Sequence, residues 1–106
     1  METLHYRFEQ GARHLPGAAP AALVGVVGSG NLEVLIEATA LDGACAIDIT
    51  TAAVGFGATW QAVMEDFHGR WQLADVRIAI NDMGATPAVV SLRLDQAVET
   101  LLAEAP

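Results

Sequence analysis

The sequence predicts an α+β domain, a two-layer sandwich in which a mixed β-sheet with a β-hairpin carries two helices on one face. Three observations lead to this prediction. Apolar residues alternate with polar ones in several segments, they recur with helical spacing in two others, and the order along the chain is strand, hairpin, strand, helix, strand, helix. With 106 residues, 53% of them hydrophobic, the chain forms one domain, residues 1–106, around a buried core.

The segment from Leu4 to Phe8 alternates and is predicted to be an edge strand. Residues Gly11 to Pro20 are rich in Gly, Ala and Pro, which indicates a loop. After a turn at Asp42-Gly43, the β-branched residues between Ala44 and Ala52 favour another strand.

A hairpin is the clearest local prediction. The apolar run Ala22 to Val27 and the alternating run Leu32 to Ala38 flank Gly28-Ser29-Gly30-Asn31. Glycine and asparagine tolerate the positive φ that tight hairpin turns demand. Ser29 then lies at the tip between two glycines, with its hydroxyl accessible and apolar strands as a rigid base. Modification of Ser29 is therefore feasible, although most turns of this composition need no function and turn chemistry alone explains them.

The second half of the chain contains the two helices. Trp60, Val63, Met64 and Phe67 share one face of a helix from Ala58, which Gly69 is predicted to end. Residues 76–81 alternate as a strand, and the crossover between the strands on either side of this helix is right-handed if they are parallel.

The second helix is predicted to start at Thr86-Pro87, an N-cap followed by proline at the first helical position. Val90, Leu92 and Leu94 also alternate as in a strand, but the helical spacing persists to Leu102, which favours a helix. Its apolar face comprises Val90, Leu94, Ala97, Val98 and Leu101.

Composition excludes several functions. The net charge is −8, from 13 acidic and 5 basic residues, and the basic residues are scattered arginines, so nucleic-acid binding is not expected. The acidic surface suits basic faces of partner proteins or serves solubility alone. No apolar run approaches the roughly 20 residues that cross a membrane, and no secretion signal is visible. With a single cysteine, the expected location is the cytoplasm.

No catalytic or metal-binding residue emerges. His5, His14 and His68 lack zinc-type spacing, and Cys45, on a predicted strand, is expected to be a buried small hydrophobe. The turn does not form a Gly-x-Ser-x-Gly nucleophile elbow, because Val27 and Asn31 occupy the outer positions. No Gly-rich phosphate loop or cleft-forming architecture is indicated either, so we do not expect the chain to be an enzyme in its own right.

Four stretches resemble the acyl-carrier (delta) subunit of malonate decarboxylase, in the same order from end to end. They are METLH at 1–5, VGVVGSGNLEVLIE at 24–37, NDMGATP at 81–87 and VVSLRL at 89–94. A weaker similarity extends to the carrier (gamma) chain of citrate lyase. The family commonly has aspartate where this chain has Asn31, and asparagine suits a hairpin turn at least as well. Ordinary phosphopantetheine carriers, which are helical bundles with an Asp-Ser-Leu motif, do not match.

The resemblance implies a role for the whole acyl-carrier domain. Ser29, flanked by Gly28 and Gly30, matches the serine that carries 2'-(5''-phosphoribosyl)-3'-dephospho-CoA through a phosphodiester. The thiol of that group would hold acetyl, exchange it for malonyl, and present the malonyl thioester for decarboxylation, which regenerates the acetyl thioester. The implied partners are the acyl-transferase and decarboxylase subunits, the prosthetic-group transferase and a malonyl transferase. The alternative is a structural or adaptor subunit with no covalent cofactor.

Overall fold

The computed structural model describes residues 1–14, 21–25 and 32–103, with residues 21–25 and 103 described by their backbone alone. A five-stranded mixed sheet contains β1 (Glu2–Phe8), β3 (Ala21–Gly25), β4 (Leu32–Ala38), β5 (Cys45–Thr51) and β7 (Val76–Asp82), in the spatial order β1-β5-β7-β4-β3. Its helices are α1 (Gly57–Trp71) and α2 (Pro87–Ala103). The predicted α+β sandwich is confirmed.

Pairing in the sheet follows the predicted segments. β1 lies at one edge and pairs antiparallel with β5, as expected for the first strand. β5 and β7, on either side of α1, are parallel, and β4 pairs antiparallel with both β7 and β3. The antiparallel pairing of β3 with β4 confirms the predicted hairpin strands, while the turn predicted at 28–31 lies outside the described residues.

One face of the sheet and both helices share a single core. Alternate residues of β4, β5 and β7 are buried, as the period of two predicts for a sheet covered on one side. The helices contribute the residues predicted from their spacing, with Val63 only partly buried; those fully in the core are Trp60, Met64, Phe67, Val90, Leu94, Ala97, Val98 and Leu101. No helix in the described ranges is long and apolar enough to cross a membrane.

The end of α1 differs from the prediction. Gly69 does not stop the helix, which continues to Trp71; the residue that ends it is Gln72, with φ of 48°. The Gln72 N–H donates to the carbonyl of His68 at 2.7 Å, which satisfies one of the last helical acceptors. Here a non-glycine residue adopts the left-handed conformation that usually favours glycine.

Part of the predicted loop 11–20 is also corrected. Within it, β2 (Arg13–His14) pairs in parallel with β6 (Leu73–Ala74) to form a second, two-stranded sheet. Gly11 permits the close approach, because a Cβ at this position would lie 2.1 Å from the carbonyl oxygen of Leu73. The contact joins segments about sixty residues apart, so local sequence signals do not reveal it.

Candidate functional site

The connection between β3 and β4 carries the serine. Ser29, Gly28 and Gly30 lie outside the described residues, but the strands on both sides are described. Gly25, the last residue of β3, pairs with Glu33, and every pair of this register is equidistant in sequence from residue 29. The strand pairing therefore makes Ser29 the central residue of the connection.

The strand residues that flank this connection, Gly25 and Leu32, lie at the same end of the sheet. Leu32, the first residue of β4, pairs with Asp82 at the end of β7, and Asp82 pairs in turn with Thr51 at the end of β5. Gly25 is the last residue of β3 at the same end. We call this end of the sheet, where β3, β5 and β7 end and β4 begins, the serine edge; the name refers to the ends of the strands and not to an outer strand.

Asp82 organises the serine edge. Its side chain is buried; Oδ2 accepts a hydrogen bond from Thr51 Oγ1 at 2.8 Å, while Oδ1 accepts the N–H groups of Gly84 at 3.2 Å and Ala85 at 2.7 Å. Gly84 has φ of +118°, a conformation that side chains rarely adopt. The segment Asp82-Met83-Gly84-Ala85 thus forms a turn between β7 and α2, and the side chain of its first residue accepts hydrogen bonds from its own backbone N–H groups.

The start of α2 lies just beyond this turn. Thr86 Oγ1 accepts the N–H of Val89 at 3.3 Å, which confirms the predicted N-cap followed by Pro87. Neither α1 nor α2 carries an acidic residue in its first turn. The partial positive charge at the start of each helix is therefore not neutralised by a carboxylate of its own first turn.

A cavity of about 380 Å³ opens between the starts of the two helices at the serine edge. Phe56, Thr59 and Trp60 line it on the α1 side, Pro87 on the α2 side, and Asp82 at the end of β7. Most of the lining is apolar. Its volume falls within the range of small-molecule sites, and the sequence pattern gives no indication of this cleft.

The three histidines take separate positions. His5 Nδ1 lies 2.7 Å from a carboxylate oxygen of Asp48 on the sheet, and His14 Nε2 lies 2.9 Å from Asp75 at the opposite edge. His68 stacks on Phe8 with ring centroids 4.6 Å apart, and burial lowers its pKa. In residues 1–14, 21–25 and 32–103, no three His, Cys, Asp or Glu side chains gather into a metal site.

Asp75 and Cys45 have structural environments. Asp75 Oδ1 accepts the N–H groups of Leu41 at 2.8 Å and Gly43 at 2.9 Å, and these bonds lower its pKa. Cys45 is fully buried in β5, as expected, and burial raises the pKa of its thiol to about 12. A thiol in this state is neither a nucleophile nor a metal ligand near neutral pH.

The fold and the site define a class of protein: a small α+β domain in which two paired strands, whose connecting sequence is centred on a serine, reach one end of the sheet next to an apolar cavity. The sequence profile of the malonate decarboxylase delta subunit, an acyl carrier protein family, matches residues 19–101. The chain belongs to this family.

Curated relatives and a solved structure agree with this assignment. A malonate decarboxylase acyl carrier protein of Stenotrophomonas maltophilia is 65% identical over 106 residues, covering 100% of this chain and 99% of that one. One from Burkholderia cepacia is 61% identical, over 92% of this chain and 87% of the relative. A chain in the crystal structure of a Pseudomonas malonate decarboxylase hetero-tetramer in complex with malonate is 42% identical, with a TM-score of 0.80 over 95% of this chain and 99% of that one.

Proposed function

We propose that the chain is the acyl-carrier subunit of a malonate decarboxylase and carries acetyl and malonyl as thioesters on a phosphoribosyl-dephospho-CoA group attached to Ser29. The observation that carries the proposal is the register of β3 and β4, which makes Ser29 the central residue of a connection between two paired strands. A modifying enzyme needs an attachment segment that is held on a stable base, and the paired strands β3 and β4 provide such a base. The family assignment supports the identity of the group.

The described residues at the serine edge fit this group. Its phosphates are anionic, and no acidic side chain lies in the first turn of either helix that starts there. Asp82 is the one buried carboxylate at this edge among the described residues, and it is already bonded to Thr51 and to two backbone N–H groups. We propose that the start of α2, five residues beyond Asp82, helps to hold the phosphates.

The chain's own residues position the acyl group. The attached group supplies the thiol whose thioester stabilises the carbanion formed on loss of carbon dioxide. Strands β3 and β4 fix the attachment point, and the turn organised by Asp82 orders the adjoining chain before α2. We propose that no residue of this chain acts as a catalytic acid, base or nucleophile.

A carrier that has no catalytic residues of its own requires partner proteins. We propose that the acyl-transferase and decarboxylase subunits act on the carried group, and that a prosthetic-group transferase and a malonyl transferase load it. The net charge of −8 favours encounter with basic partner faces. A cytoplasmic location suits these exchanges and the chain's single cysteine, which is buried.

A Ser29→Ala variant tests the attachment. The matched control is Ser91→Ala, since Ser91 on α2 is the only other serine of the chain. Each variant is produced with the modifying enzymes and assembled with the other subunits, and malonate decarboxylation is measured together with the mass of the carrier. We expect Ser29→Ala to abolish both the added mass and the activity, and Ser91→Ala to keep both.

The alternative is an adaptor subunit without a covalent group. It predicts that the complex with Ser29→Ala decarboxylates malonate at the wild-type rate, and that the chain has its unmodified mass in every active complex. That result would refute the carrier proposal.

A further inference from the structure

The cavity at the serine edge lies between the starts of α1 and α2. Trp60 is the largest side chain in its wall and is only 6% exposed, and Val90 of α2 closes the opposite side. The rim includes Thr59 and Phe56, both exposed, and Phe56 is one of five large apolar side chains that are exposed in the described part of the chain. An apolar recess with so few polar groups suits an apolar ligand rather than a sugar or a free phosphate.

The cavity and the serine connection share a structural boundary. Asp82 lines the cavity and pairs with Leu32, the residue that directly follows the connection 26–31. A ligand attached to Ser29 is thus tethered at the edge of the sheet onto which the cavity opens. Tethering makes binding intramolecular. At the resulting effective concentration, the cavity is occupied even if its affinity for the ligand is weak.

From these observations we propose that the cavity lined by Phe56, Thr59, Trp60, Asp82, Pro87 and Val90 receives the acetyl-thioester end of the group carried on Ser29 between its visits to other subunits. The proposal rests on the carrier function proposed above. Its chemistry matches the site, because the acetyl methyl group, the sulfur atom and the methylene groups of this end are apolar, whereas water around a thioester favours hydrolysis. The role of Trp60 is to form the wall against which this end packs.

The two tryptophans allow a direct test. Trp60 lines the cavity, whereas Trp71 lies at the other end of α1, about 16 Å along the helix axis at 1.5 Å per residue. The Trp71 indole N–H donates to Asp95 at 2.8 Å and is distant from the serine edge. In a ¹H–¹⁵N spectrum, the Trp60 indole signal therefore reports on the cavity and the Trp71 signal is an internal control.

The experiment compares the unmodified chain with the chain carrying the acetylated group, after intact mass has shown the group on Ser29. We expect the Trp60 signal to move by several line widths and the Trp71 signal to stay within one. If the group is present and the Trp60 signal does not move, or moves only when partner subunits are added, the cavity proposal is wrong while the carrier function stands. If no group can be attached to Ser29, both proposals are wrong.

A cavity-blocking variant locates the effect. Thr59→Phe places a large side chain at the rim, and Gln61→Phe makes a matched change at an exposed position of α1 that does not line the cavity. We expect the Trp60 signal to shift on modification in Gln61→Phe but not in Thr59→Phe. Ala53→Leu, on another part of the wall, should behave like Thr59→Phe. The Trp71 signal verifies that each variant is folded, and a full shift in both blocked variants would overturn the proposal.

Discussion

Removal of the Asp82 carboxylate should destabilise the whole domain, since one buried side chain connects two strands to the turn before α2. Its oxygens accept hydrogen bonds from Thr51 and from the N–H groups of Gly84 and Ala85. A hydrogen bond to a charged group contributes roughly 1.5–3 kcal/mol, and a donor left without a partner adds about 1–3 kcal/mol. Because water can reach the partly buried N–H groups once the turn relaxes, we expect Asp82→Ala to lower the free energy of unfolding by about 2–4 kcal/mol.

Urea denaturation followed by tryptophan fluorescence measures this loss. Asp82→Asn should cost less, about 1 kcal/mol, because its amide oxygen can still accept the two backbone N–H groups while the Thr51 hydroxyl can rotate to accept from the amide nitrogen. Asp66→Ala removes the same charge from an exposed position of α1 and should change stability by no more than about 0.5 kcal/mol. If Asp82→Ala costs no more than Asp66→Ala, the view of Asp82 as the organiser of the serine edge is wrong.

Three further predictions concern other parts of the chain. Gly11→Ala should lower the free energy of unfolding, measured by urea denaturation, by about 1–3 kcal/mol, because its Cβ would overlap the Leu73 carbonyl. The control Gly69→Ala lies in open space within α1 and should raise the free energy of unfolding by about 0.5–1 kcal/mol. Equal effects of the two substitutions would refute the close contact at Gly11. The Cys45 thiol, with its pKa raised to about 12, should react with iodoacetamide at pH 8 on the order of a thousandfold more slowly than in urea, and fast labelling of the native chain would contradict its burial. Burial lowers the pKa of His68 below its usual 6.5, so the unfolded chain binds more protons than the folded chain between these two pKa values. The free energy of unfolding should therefore fall as pH decreases through this range; His68→Gln should flatten the decrease, and an equal slope in the variant would argue against a lowered pKa for this half-buried imidazole.

Much of the fold could be predicted because one face of the sheet is covered by both helices. Under that condition, buried and more exposed residues alternate along a strand with a period of two, as they do in β4 and β7. A helix then shows one apolar face, as α2 does from Val90 to Leu101. The Thr86-Pro87 start was likewise predictable, because a cap depends on neighbouring residues only.

The missed features depend on contacts that are distant in sequence. Gly69 was predicted to end α1, but a glycine within a helix costs only about 1 kcal/mol, and tertiary contacts outweigh that preference. The pairing of β2 with β6 requires Gly11 to lie against Leu73, and no local pattern encodes it. The cavity depends on the spacing between two helix starts, which residue periodicity does not specify.

The prediction of the candidate site rests on a sequence motif and not on residue periodicity. Ser29 is predicted as the attachment site because its surrounding residues resemble a family motif, while periodicity supports only a hairpin. The Asp82-Met83-Gly84-Ala85 segment belonged to the same resemblance, but the reason for its composition, a buried carboxylate that caps its own turn, required the structure. Residue periodicity therefore predicts the scaffold, whereas the motif alone points to Ser29 as the attachment position.

Mass spectrometry of the chain purified from its own cells shows whether Ser29 carries a covalent acyl-carrying group. Trypsin cleaves after arginine, so Ser29 falls in the fragment 14–70 and Ser91 in the fragment 78–93. We predict that fragment 14–70 carries the mass of a phosphoribosyl-dephospho-CoA group, with fragmentation assigning it to Ser29, and that fragment 78–93 is unmodified. An unmodified fragment 14–70 from a complex that actively decarboxylates malonate would contradict the account.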